Sequence, residues 1–176
     1  SRMQTTTTAA ASLGGFLSAL RDGGDSSIST WAESLKQRQL SARDLALEVV
    51  KKLVPGGGSI DEEAAKNAME LAISKLYEVT PDVDIFRLSD DQISNVMAYT
   101  IAFDVFNRVQ LELGRVFEKL KYSARVVQER FSQALDYITT VVEEAMCSAR
   151  SGTTARTMRE VANHALQHAL FVFGEA

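Results

Sequence analysis

The sequence predicts an all-α fold, a single compact helical domain of about seven helices with two long central ones. Three observations predict it. Apolar residues recur at spacings of three and four along most of the chain, and no stretch alternates with period two for long enough to make a convincing strand. Helix breakers are few and grouped. Only two prolines occur, Pro55 and Pro81, and the glycines gather at 14–15, 23–24 and 56–58, which leaves long stretches free for helices. A chain of 176 residues can bury one sizeable core, and its 45% apolar and 24% charged residues place it with globular domains rather than disordered ones.

Residues 1–12, SRMQTTTTAAAS, are polar and of low complexity, and are expected to be a flexible N-terminal segment, with the helical domain over 13–176; the alternative is that the alanines extend the helix that follows. Leu13, Phe16, Leu17 and Leu20 share a helical face, and DGGDSS ends that helix with turn chemistry. A short helix is expected to start at Thr30, where Glu33 has the reciprocal spacing of a capping box and Trp31 serves as a core anchor. Ser41 caps the next helix, whose apolar stripe is Leu45, Val49, Val50 and Leu53.

The run VPGGGSIDEEAAKNAM at 54–69 decides between two classes of protein. A phosphate cradle of the P-loop type needs GxxxxGK[ST], and here no lysine follows until Lys66. Asp61, Glu62 and Glu63 also fill the first helical turn, the positive dipole end on which a phosphate would sit. A structural junction accounts for each residue instead. Pro55 and Gly56–Gly58 stop one helix, Ser59 caps the next, and Glu62 completes the capping box.

That second helix ends before Pro81, which biases Thr80 away from helical geometry. Ser89 and Gln92 then form another capping box, opening a helix expected to run to about residue 121. Its apolar residues surround more than one face, so it is expected to be central and covered on several sides, with Gly114 permitting a kink or a close neighbour. Asp104, Asn107, Arg108 and Gln110 interrupt it and are read first as makers of internal hydrogen bonds, second as a contact surface. A long amphipathic helix follows Ser123, SGTT breaks it, and a last helix carries Met158, Val161, Ala162, Ala165, Ala169 and Val172.

Charge and composition exclude some functions. A net charge of −4, with 12 acidic against 6 basic residues in 61–120, argues against direct nucleic-acid binding. No uncharged apolar run reaches the length of a membrane span, and the lone Cys147 fits a reducing compartment, so the chain is expected to be cytoplasmic. His164 and His168, four apart with Glu160 one turn earlier, are candidate metal ligands on one helix face. A solvated polar face is favoured over them on ligand count, because no third histidine exists and no ExxH pair occurs. No cofactor is expected. Nucleophilic catalysis has only those two histidines to draw on, so the chain is expected not to be an enzyme.

The run GGGSIDEEAAKNAMELAISKLYE, followed by DVDIFRLSDDQISNVMAYTIAFDVFNRVQLELG, resembles the helical domain of QatB, the B component of bacterial Qat anti-phage defence systems, over about residues 10–174. In that family a glycine-bounded helix start of SIDE type precedes an alanine-rich helix, a loop and a long helix with an aromatic-rich centre. The resemblance implies a non-enzymatic scaffold working beside an ATPase, a TatD-like nuclease and a QueC-like enzyme, the last as direct partner. It further implies modification of the family's own N-terminus by that partner. Ser1-Arg2-Met3 does not resemble such a start, so the chain is expected to be a C-terminal domain fragment.

Partner contacts are expected at Phe171 and Phe173, which are poorly placed to be both buried, and at Asp82 and Asp84 in the acidic 61–91 region, which suits a basic partner. Two other readings stand beside this one. The first is a metal protein or enzyme built on His164, His168 and Glu160, and the second a homo-oligomer assembled through the long helices.

Overall fold

A computed structural model describes residues 2–56, 58–148 and 155–174. Seven α-helices stand among them: α1 Arg2–Asp22, α2 Ser26–Gln37, α3 Ala42–Leu53, α4 Ile60–Val79, α5 Asp90–Lys119, α6 Ala124–Ser148 and α7 Ala155–Gly174. A 3-10 turn, Ile85–Arg87, links α4 to α5. The fold is all-α, with α5 at its centre, packed against α1, α4, α6 and α7.

Most helix starts follow local capping chemistry. Ser41 Oγ accepts the Asp44 amide at 3.1 Å. At α4 the Ser59 amide donates to Glu62 Oε2 at 2.8 Å while the Glu62 amide donates to Ser59 Oγ at 3.4 Å, a complete capping box. A side chain at Gly58 would overlap the Glu62 carboxylate, which explains a glycine there. Gly57 lies outside the described residues. Ser89 and Gln92 make the second box, at 2.9 and 3.2 Å. Both boxes satisfy amide donors that a helix start leaves without partners, and each cap contributes about 1 kcal/mol.

Two starts differ from expectation. Helix α1 runs from Arg2 through residues 2–12 and buries Thr6, Thr7 and Ala10 against the rest of the fold. Thr6 points inward to the buried polar partners described below, and Thr7 is buried with its hydroxyl donating to the Gln4 carbonyl. Helix α2 starts at Ser26 rather than at Thr30. Asp25 accepts the Ser27 and Ile28 amides at 2.8 and 3.4 Å, one turn earlier, and Thr30 donates back to the Ser26 carbonyl. The Ser27 hydroxyl, which also donates to Asp25, and the two amides favour the ionised carboxylate and hold Asp25 below its usual range.

Helix ends are set by the turn residues. Gly23 adopts φ +69 as its amide caps the Ala19 carbonyl at 3.0 Å, the left-handed position that glycine occupies at least cost. Gln39 and Lys121 take the same conformation after α2 and α5. Helix α5 is unbroken over 30 residues, about 45 Å. Gly114 admits no close neighbour, for a side chain there would meet open space. The close approach lies elsewhere. Gly14 of α1 packs so tightly on Met97 of α5 that an added Cβ would collide with the thioether. The expected break at SGTT falls outside the described residues.

Two apolar cores share α5. The first gathers Leu13, Leu17, Val49, Met69, Ile73, Leu76 and Ile85 from α1, α3, α4 and the 3-10 turn around Ile93, Val96 and Tyr99. The second gathers Ala134, Ile138, Val142 and Met146 of α6 and Met158, Ala162, Ala165 and Ala169 of α7 around Ile101 to Phe117. Each fully buried Leu, Ile or Met contributes about 1.5–3 kcal/mol. Trp31, expected as a core anchor, is half-buried and packs edge-on against Phe16 with 5.4 Å between ring centroids.

One polar cluster lies inside. Thr6 Oγ1 donates to Asp104 Oδ2, and Arg108 Nη2 donates to Thr6 Oγ1 at 3.2 Å and pairs with Asp104 at 3.1 Å. These three side chains are nearly free of solvent. Of the four polar interruptions of the α5 apolar pattern, Asp104 and Arg108 are therefore internal and tie α1 to α5, while Asn107 and Gln110 are half-buried.

Candidate docking surface

The spacing that buries one face of α5 leaves another partly wet. Tyr99, Phe103, Phe106 and Gln110 recur every three or four residues along the side of α5 toward α6, and Gln128, Phe131, Leu135 and Thr139 do the same on α6. Between them runs a groove. One part, about 550 Å³, is lined by Phe106, Gln110, Val127, Gln128, Phe131 and Leu135. A second hollow of about 290 Å³, sharing Leu135, is lined by Tyr99, Phe103, Asp136 and Thr139, with Lys75 at its rim.

The groove walls are rigid where they meet the core. Phe131 packs edge-on to Phe106 at 6.3 Å and at a tilt to Phe117 at 5.4 Å, and Phe117 is fully buried. The Arg130 guanidinium lies over Phe117 and Tyr122, 5.8 and 5.1 Å from the ring centroids. At the other end Tyr99 is buried, and the low-dielectric site raises its phenol, helped by the adjacent Glu143 carboxylate. An apolar floor with threonine, glutamine and serine at the rim has the chemistry of a protein-binding groove.

The residues singled out by sequence fall in several places. Phe171 is 62% exposed near the end of α7, whereas Phe173 is half-buried against Tyr137 at 5.9 Å. Val172 is exposed. Asp82 is exposed in the loop after α4. Asp84 has a structural task, accepting the Phe86 amide at 3.0 Å as cap of the 3-10 turn, and its charge adds to the burial that raises the Tyr77 phenol. The aspartates and Phe171 do not share the groove.

His164 and His168 do come together, on the exposed face of α7, with rings stacked at 5.6 Å. Glu160 is paired instead with Arg156 at 3.0 Å. Among the described residues no group of three or more His, Cys, Asp or Glu side chains converges as a metal site. Cys147 is exposed in the last turn of α6. No helix among the described residues is long and apolar enough to cross a membrane. Sequence reasoning missed the groove altogether. The available signal was the surplus of apolar positions on α5, which needs more covering helices than the chain supplies at that side.

Fold and surface together define a capped all-α domain that carries an apolar seam between its two longest helices. The family model described as Qat anti-phage system associated protein QatB matches residues 1–173. The chain belongs to the QatB family and is a component of an anti-phage defence system whose other components are its partners. No curated protein and no solved structure matches it.

Proposed function

We propose that this domain is a non-enzymatic, cytoplasmic scaffold of the defence complex that docks a partner protein along the α5–α6 seam, the QueC-like enzyme subunit being that partner. The observation that carries this reading is the groove itself, two aromatic-lined hollows meeting at Leu135 with polar rims. Anchoring side chains of a partner desolvate best in such pockets, and aromatic residues supply much of the binding energy at interface centres. The acidic residues of 61–91 add attraction for a basic partner and raise its rate of encounter.

Co-expression with the QueC-like subunit tests it. The parent chain is expected to co-purify with the subunit, and Ser132→Arg, on an exposed position at the groove edge, is expected to lose at least tenfold in affinity without unfolding. Leu135→Glu is expected to abolish the complex. A complex that survives both substitutions, or a stable homodimer in light scattering that hides Leu135, overturns the proposal.

A further inference from the structure

His164 and His168 stand one turn apart on an exposed helix face, with 10° between their ring planes. Their spacing alone offers only two ligands. The fold adds what the spacing lacks. Tyr137 reaches from α6, stacks on His168 with 5.7 Å between ring centroids, and its hydroxyl is hydrogen-bonded to His168 Nδ1. In the tautomer whose Nδ1–H donates to that oxygen, the lone pair of His168 is on Nε2, the nitrogen distal to the tyrosine hydroxyl. An oxygen behind the distal nitrogen is the arrangement that orients ligating imidazoles and fixes their tautomer. The Tyr137 ring is itself held by Phe173, so the orienting group is anchored in packed structure.

We propose that His164 and His168 chelate one late first-row divalent cation, with Tyr137 as the positioning residue for His168. The ligand class follows from the donors. Imidazole suits Ni²⁺, Cu²⁺ and Zn²⁺, whereas Mg²⁺ and Ca²⁺ require oxygen ligands. Glu160 stays with Arg156, so two protein nitrogens hold the ion and water fills the remaining positions. Such a site is open, weaker than a closed four-ligand one, and able to accept a further ligand from outside the chain.

Untagged protein carrying Cys147→Ser, which removes the exposed thiol, serves for the test. Calorimetric titration with NiCl2 and ZnCl2 is expected to show one ion per chain, with no response to MgCl2. His164→Gln and His168→Gln are each expected to weaken binding at least tenfold. Tyr137→Phe, which keeps both ligands and the ring packing, is expected to weaken it about tenfold. Nickel is also expected to raise the melting temperature of the parent and not of the histidine variants, because the chelate cross-links consecutive turns of α7. All substituted residues except Tyr137 are exposed, and helical circular dichroism checks each fold. Absence of saturable binding, or binding undiminished in the double histidine variant, overturns the site. Undiminished binding in Tyr137→Phe overturns the positioning role.

Discussion

The two ends of α5 are the same helix in two different surroundings. Around its first turns, α1, α3, α4 and the 3-10 turn close an apolar core that includes Leu17, Ile73 and Ile93. Farther along, among the described residues, α6, α7 and the beginning of α1 pack on it, the side toward α6 stays an open seam that begins at Tyr99, and the inner side carries the Thr6–Asp104–Arg108 cluster. The difference teaches that exposure here is set by how many elements are available to cover a helix, not by how apolar the helix is. Phe103 and Phe106 are as hydrophobic as any core residue, yet both stay half-buried.

The largest test of this contrast is Asp104→Ala. It leaves the Arg108 charge buried beside a lost partner and is expected to cost about 3–5 kcal/mol in urea unfolding. Asp104→Leu together with Arg108→Met is expected to recover most of that loss, since well-packed apolar replacements of buried ion pairs are often neutral. Full stability after Asp104→Ala would show that the cluster is not a buried tie between α1 and α5.

A matched pair of truncations sharpens the comparison. Leu17→Ala in the closed core is expected to cost about 2–5 kcal/mol. Leu135→Ala at the seam, already half in water, is expected to cost less than about 1 kcal/mol while weakening partner binding. Equal losses from the two would mean that the seam is core. The smallest effect has the opposite sign. Gly114→Ala removes backbone freedom from an uncrowded helical position and is expected to raise stability by about 0.5–1 kcal/mol, read as a higher urea midpoint. A decrease would mean that the glycine admits a close neighbour after all.

How much was legible follows from the range of each interaction. The starts of α3, α4 and α5 were readable because Ser41, Ser59 and Ser89 bind amides three residues away. The start of α2 was misplaced because two capping signals compete within five residues, and Asp25, with two amides in reach, prevails. Extension of the first helix through the alanines was readable as an alternative, but the inward turn of Thr6 was not, since its partners are 98 and 102 positions away. The histidine spacing was visible, but its orienting group, Tyr137, is 31 residues away on another helix. The surplus of apolar positions on α5 was visible, but not which side stays open, because a half-covered aromatic stripe has the same spacing as a covered one.

By itself, then, the chain's order of residues determined that it is helical, where most helices begin, and that its glycine run is a junction capped by Ser59 and Glu62. Those outcomes depend on hydrogen bonds that close within one turn. Tertiary structure alone decided which apolar stripe is sealed and which lies open, and which polar residues turn inward. Burial is a property of neighbours brought from far along the chain, and no local pattern specifies how many of them arrive.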